Sequence, residues 1–300
     1  MEPFRSILVD IDATDRAQPA LDRAARLARD TGARLTIVDV MSVPSYARRY
    51  LPSGIEEEMG RRRRAELATI AEGVGGVPVD SRVLDGPAAA ALIDEVAAGG
   101  HDLVVREAAR DLVAARRQPS GAVGMELLRG CPCPVLLVGA GPAAERPRIA
   151  AAVNTSTDDA AVQALNARIA EAALLVAQLE QGSVTLLHAW TAFAEGMVRG
   201  VASGDGFADY VSAARARVED DFGRFRESLG ERFAAAGSEL RRGDPEDVIP
   251  EFAVADGTDL VVMGSVARSG IPGFFIGNTA ERVLHKLPCS VLVVKPAPPA

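Results

Sequence analysis

The chain has 300 residues, of which 48% are hydrophobic, 25% charged and 4% aromatic, with a formal net charge of −8. That length supports two domains with cores built mainly from Ala, Val, Leu and Ile. Residues 1–140 carry 18 Lys+Arg against 20 Asp+Glu and the remainder 15 against 21, so neither half has the basic surplus of a general nucleic-acid binder. The opening MEPFRSILVDID lacks the basic start and long apolar region of a secretion signal. No run reads as the roughly 20 apolar residues needed to cross a bilayer. Three cysteines, few and odd in number, fit a reducing compartment. The expectation is a soluble cytoplasmic protein with no membrane or nucleic-acid partner.

Phe4 to Ile11 is rich in Ile, Leu and Val with little alternation, which predicts a strand buried on both faces, as in a parallel sheet. Pro19 to Thr31 predicts a helix with Leu21, Ala24, Ala25, Leu27 and Ala28 on one stripe, stopped by Gly32. Arg34 to Val40 predicts a second strand. Met41 to Ser53 is irregular, and Ile55 to Gly73 predicts a charged helix. Its Arg61 to Arg64 run follows Glu57 and Glu58 at favourable ion-pair spacing, so it reads as a solvated face. Val77 to Leu84 predicts a strand, Gly86 to Ala97 a helix, Leu103 to Val105 a strand, Arg106 to Ser120 a polar loop, Gly121 to Arg129 a short helix and Pro134 to Gly139 a fifth strand. This alternation points to a doubly wound α/β unit.

GPAAERP at Gly141 to Pro147 reads as a linker, after which the pattern repeats. Ile149 to Val153 predicts a strand, Ala161 to Leu179 a helix and Val184 to His188 a strand. Thr191 to Gly206 reads as a longer flexible connection. Ala208 to Ala236 predicts a long helix with Gly223 as a kink point. Glu239 to Arg241 is a weak strand, and Asp244-Pro245 opens a helix through Ala255, with Pro250 able to bend it. HDLVVR at His101 matches TDLVVM at Thr258, and CPCPVLLVG at Cys131 matches LPCSVLVVK at Leu287. The fold expected is α/β: two tandem, doubly wound, Rossmann-like parallel-sheet domains, residues 1–140 and 148–300, related by a pseudo-two-fold. Copy two is longer between its first and fourth strands, and the connection around Thr191 to Gly206 is where the added residues are expected.

Ligands of open parallel sheets bind beyond the carboxyl ends of strands, where the strand order reverses. The candidates are therefore Asp10, Asp12 and Arg106 in copy one, and Asn154, Thr155, Ser156, Gly264, Ser265 and Arg268 in copy two. Gly277 opens a close approach to the main chain, and the N–H groups of Asn278 and Thr279 suit an anion at a helix start. The competing reading is a capping box between Asn278 and Glu281, which would satisfy those groups internally.

The second half resembles the universal stress protein domain, and the tandem arrangement resembles the type E universal stress proteins of bacteria. The residues that carry this are GSVARSGIPGFFIGNTAERV at Gly264 to Val283 and the terminal PCSVLVVKP. In nucleotide-binding members the loop reads glycine, two residues, glycine, nine residues, glycine, then serine or threonine. Gly264 and Gly277 match the first and third glycines. Ala267 replaces the second, Asn278 replaces the hydroxyl residue with Thr279 beside it, and Asn154 replaces an aspartate after the first strand. In copy one Arg106 stands at the first glycine position and no glycine follows until Gly121.

The resemblance implies a non-enzymatic stress-response protein that acts through ligand binding or protein contacts, from a branch usually considered not to bind ATP. Any ligand site falls in copy two, with ATP or another adenine nucleotide as the candidate ligand. It also implies that Pro134 to Val138 and Ser290 to Val294 pair within the chain, burying two strand edges. A homodimer or other protein partner remains open. The alternatives are an ATP-binding switch or weak ATPase using the same loop, and a carrier of an apolar or lipid-like ligand covered by Phe193, Met197, Val198, Val201 and Phe207.

Cys131, Cys133 and Cys289 read as small packing residues rather than metal ligands, which come in threes and fours. His101, His188 and His285 are scattered and none sits beside a plausible nucleophile, and no Ser-His-Asp order or paired carboxylates make a hydrolase. Trp190 either lines a pocket with Phe207 and Tyr210 or packs in the core.

Overall fold

All five residues of β1 (Ser6–Asp10) are buried, because helices cover both faces of the sheet to which it belongs. The computed structural model describes residues 2–15, 17–108, 123–139, 144–202, 204–265 and 277–296. Copy one continues with α1 (Pro19–Thr31), β2 (Arg34–Met41), α2 (Ser45–Arg48), α3 (Ile55–Glu72), β3 (Val79–Asp85), α4 (Ala88–Gly99), β4 (Leu103–Glu107), α5 (Val123–Gly130) and β5 (Val135–Val138). Copy two follows as β6 (Arg148–Ala152), α6 (Ala160–Leu179), β7 (Ser183–Trp190), α7 (Glu195–Val201), α8 (Gly204–Ser228), a short 3-10 turn at Glu231–Phe233, β8 (Gly237–Arg242), α9 (Pro245–Asp256), β9 (Leu260–Gly264), α10 (Asn278–Lys286) and β10 (Ser290–Val294).

The strands form one ten-stranded sheet in the order β3-β2-β1-β4-β5-β10-β9-β6-β7-β8. Within each copy neighbours are parallel. At the centre β10 runs antiparallel to β5, with Val291 opposite Leu137, Leu292 opposite Leu136 and Val293 opposite Val135. The expected pairing of last strands is therefore present. The Cβ direction alternates along each strand. Ile7 and Val9 face a core shared with α1, α3, α6 and α8, whereas Leu8 faces one shared with α4, α5, α9 and α10.

Bidentate Arg23–Glu180 hydrogen bonds of 3.0 and 2.7 Å tie α1 to the residue just after α6. Arg129 of α5 reaches Glu281 of α10 through Nε at 2.8 Å. Gly139 N donates to Ser290 Oγ at 3.1 Å, and a Cβ on Gly139 would stand 3.2 Å from the Ser290 nitrogen.

Several local expectations change. The connection before α8 (191–203) is no longer than that before α3 (42–54), and it contains α7. The added residues of copy two lengthen helices instead: α6 has 20 residues against 13 in α1, and α8 has 25 against 18 in α3. Helix α8 runs through Gly223 and stops earlier than expected. Gly230, at φ +72, then turns the chain into the 3-10 segment that buries Phe233. Pro250 stays within α9.

In the basic run, Arg61 and Arg62 pair with Glu58 and Glu66 on an exposed surface. Arg63 instead turns inward to Asp39, which is only 2% exposed. Helix α6 is long and apolar enough to cross a membrane by length and composition, which amends the sequence reading. In the fold its Leu165, Ile169, Ala173 and Val176 are buried in the shared core.

The central seam makes a direct prediction. Leu292, 1% exposed, when changed to Ala, lowers unfolding free energy by roughly 2–5 kcal/mol through lost contacts and a residual cavity. Urea unfolding monitored by fluorescence measures it.

Candidate functional site

The strand order reverses between β1 and β4 in copy one and between β6 and β9 in copy two. These are the two places where a ligand crevice is expected.

In copy one Asp10 and Arg106 are register partners across β1 and β4. Their side chains form an ion pair and are only 3% and 9% exposed. Arg106 thus lays its guanidinium across the crevice onto the aspartate; the place of Gly264 is taken not by Arg106, as the sequence reading had it, but by Glu107, which lies opposite Val138 as Gly264 lies opposite Val294. Next to it, Asp39 accepts from Ala13 N at 3.2 Å and from Arg63. Burial raises the Asp39 pKa, against the opposing pull of those two donors. Asp12 accepts from Thr14 N at 3.0 Å and closes its own turn.

In copy two Asn154 takes the place of Asp12. Its N–H donates to Asn166 Oδ1 at 2.9 Å, its carbonyl accepts from Asn166 Nδ2 at 2.6 Å, and its Oδ1 accepts from Ser156 N at 3.2 Å. Gly264 ends β9 and Ser265 follows it, 2% exposed, with its N–H on Val294 O at 3.1 Å. A Cβ on Gly264 would lie 2.6 Å from Leu165 Cδ2, so close helix–strand packing already requires this glycine.

Gly277 adopts extended backbone at φ −71 and ψ 151 as the N-cap of α10, and no side-chain cap bond is present there among the described residues. Asn278 is the first helical residue and not the cap, and Glu281 N donates to Gly277 O at 3.0 Å, so the Asn278–Glu281 capping box is not formed. Glu281 turns to Arg129 of copy one, drawn by an opposite charge across the seam. Asn278 and Thr279 lie in the first turn of α10. The fold brings Asn154, Gly264 and Ser265 to neighbouring strand ends. Arg268 and Ala267 lie outside the described residues, as do residues 109–122 with Gly121.

Sequence reading missed one group here. His188, 1% exposed, has Nδ1 on Val153 O at 3.0 Å and Nε2 on Ser156 Oγ at 2.9 Å. A carbonyl only accepts, so Nδ1 carries the hydrogen and the Ser156 hydroxyl donates to Nε2. Burial lowers the His188 pKa and keeps the ring neutral. A histidine does stand beside a serine, but one lies on β7 and the other in the connection after β6, 32 residues apart, and no local spacing announces them. Thr155 Oγ1 is buried without a partner among the described residues and lines a 320 Å³ cleft with Thr157, Gln163 and Arg224.

A separate cleft of about 660 Å³ is lined by Trp190, Phe207, Val211, Arg215, Arg241 and Arg242 among others. Trp190 also packs against Val218 and Tyr210, so it serves both the cleft and a small core. Phe193, Met197 and Val201 do not cover a pocket: they are 89%, 74% and 84% exposed.

The model of the universal stress protein family matches residues 3–139 and again 147–295. The chain belongs to the universal stress protein family. It is 31% identical to universal stress protein E of Escherichia coli K12 over 99% of this chain and 95% of that protein. It is 28% identical to the universal stress protein E homolog of Haemophilus influenzae over 98% of each. Both family copies are thus present in a tandem universal stress protein similar in extent to those relatives. Among solved structures, a universal stress protein from Archaeoglobus fulgidus superimposes with a TM-score of 0.64 at 15% identity, covering 97% of this chain and 96% of that one. A protein of Pseudomonas aeruginosa UCBPP-PA14 assigned to the same family gives 0.69 at 24%, covering 98% and 94%. Structures this distant in sequence share the fold.

Two predictions follow from the buried charges and rings. Arg106→Ala leaves Asp10 as an unpaired buried carboxylate and costs roughly 3–5 kcal/mol, whereas Asp10→Leu with Arg106→Met restores much of the loss; chemical denaturation of the three proteins compares them. His188 and His101 both have pKa values lowered from 6.5, chiefly by burial. The unfolded chain therefore binds more protons just below that pH, and stability falls on acidification, by up to about 1.4 kcal/mol per pH unit for each ring, until the folded-state values are passed. Denaturation midpoints between neutral pH and pH ~5 measure the slope, and His188→Gln reduces it.

Proposed function

We propose that this tandem universal stress protein is a cytoplasmic, non-enzymatic stress-response protein with one closed and one ligand-accepting crevice. Domain one covers 1–140 and domain two 148–300. The accepting site lies at Asn154, Gly264, Ser265, Arg268, Gly277, Asn278 and Thr279, and its ligand is an anion of the adenine-nucleotide class. The observation that carries this reading is the difference at equivalent strand ends. Arg106 lies across the first crevice and neutralises Asp10, whereas the second has the uncharged Ala152 and Met263 at the same register. With no ion pair at that register and a glycine at the N-cap of α10, which leaves its first-turn N–H groups without a side-chain cap among the described residues, the second crevice is the less hostile to a phosphate. The replaced motif residues reduce affinity without closing the site.

A second reading, a carrier of an apolar ligand with a charged end, is supported by the cleft at Trp190 and Phe207 with its three arginines.

Calorimetric titration with ATP separates them. Weak binding, no tighter than micromolar, that is lost in Gly277→Arg is the expected result. Submicromolar binding that survives Gly277→Arg overturns the placement, steady phosphate release overturns the non-enzymatic reading, and an amphiphile in the organic extract of purified protein favours the second reading.

A further inference from the structure

The turn from α5 into β5 contains Cys131-Pro132-Cys133, and the crevices make no use of its thiols. The two Sγ atoms are 3.5 Å apart. Cys131 is fully buried and Cys133 is 8% exposed. A disulfide needs the sulfurs to close to about 2.05 Å, a short movement within one turn. The third member comes from the other copy. Lys295, immediately after β10, is 1% exposed, and its Nζ donates to Leu128 O near the end of α5. The β5–β10 pairing thus delivers a buried ammonium to a buried dithiol.

The charges agree with this arrangement. The Cys131 thiol is pulled below its ordinary value, first by its hydrogen bond with Cys133 and further by Lys295. Cys133, the other partner of that bond, is pushed up. Burial draws Lys295 down to about 8, while the two thiols pull the other way. Cys289 occupies the matching turn of copy two. It has no neighbouring thiol in sequence, and burial pushes it up to about 11. A thiolate beside a cation is the form of cysteine that reacts.

Access exists on one side. Cys133 lines a cleft of about 540 Å³ together with Pro132, His101, Asp102, Arg168 and Glu171. That volume admits a small oxidant.

We propose that Cys131 and Cys133 are a reactive dithiol, oxidised to an intramolecular disulfide by a hydroperoxide, with the Lys295 ammonium as counter-ion to the attacking sulfur. One sulfur, as thiolate, takes the terminal oxygen of the hydroperoxide. The O–O bond breaks and the departing alkoxide, or hydroxide from hydrogen peroxide, takes up a proton. The second sulfur then attacks the sulfenic acid, the S–S bond forms and water leaves. In sum the dithiol loses two electrons and two protons, and the hydroperoxide becomes alcohol and water. The new bond tightens the turn that leads into β5, so the oxidation state is written next to the seam between the copies.

The test uses the whole protein, reduced and then exposed to hydrogen peroxide, with alkylation and tryptic mass spectrometry. The expected product is the Gly130–Arg148 peptide lighter by two hydrogens and closed to alkylation until dithiothreitol is added, while Cys289 stays alkylatable. Cys131→Ser and Cys133→Ser each abolish that product. Lys295→Met, close in volume, slows its formation about tenfold, the loss expected for a one-unit rise in thiol pKa. Cys131 and Cys133 remaining as alkylatable as Cys289, or oxidation running on to sulfinic acid without a disulfide, overturns the proposal. An unchanged rate in Lys295→Met removes the lysine from it. The wild-type mass shift is decisive whether or not the lysine variant folds.

Discussion

The antiparallel contact between β5 and β10 is the constraint on which the molecule depends. Each half taken alone would end in an apolar strand with a bare row of N–H and C=O groups, the kind of edge that recruits other chains. Joining the two edges satisfies those groups and makes one continuous sheet. The side-chain links across the seam, Arg23–Glu180 and Arg129–Glu281, follow from that placement. So does the delivery of Lys295 to the far side of α5. The seam explains the small residue at Gly139, where a neighbouring backbone passes too close for a side chain.

The pseudo-symmetry around the seam is one of backbone and not of chemistry. Equivalent crevices carry a buried ion pair in one copy and an amide–amide exchange in the other. In copy one Arg106 supplies the counter-charge of Asp10 from within the chain. In copy two Asn154 and Asn166 use their polar groups on each other, which stiffens the strand end and leaves no net charge there.

The strands were legible because a sheet covered on both faces needs uninterrupted apolar runs, and LDRAARLA and ALNARIA show their helical stripes plainly. The helix boundaries at Pro19, Ile55 and Pro245 were marked by local stop and start residues. What sequence pattern missed were contacts between distant residues. Arg106 looked like a loop residue because its partner Asp10 lies on another strand. Glu281 looked like a capping residue, and the pull of Arg129 from the other copy was invisible. Ser156 and His188 meet only because β6 and β7 are neighbours. The added length of copy two was assigned to a loop, since loops absorb insertions easily, whereas the longer helices α6 and α8 have room to extend past the sheet.

The outer strands carry a consequence for assembly. β3 reads VDSRVLD and β8 reads GSELRR, and both are largely exposed and dense in charge. Once the two inner edges are joined, these are the two edges left to the ten-stranded sheet. Another molecule attempting to add a strand would have to set Asp80 and Arg82, or Glu239, Arg241 and Arg242, against its own backbone. Growth by strand addition is thus resisted at both ends, and contacts with other proteins are steered to the helical faces.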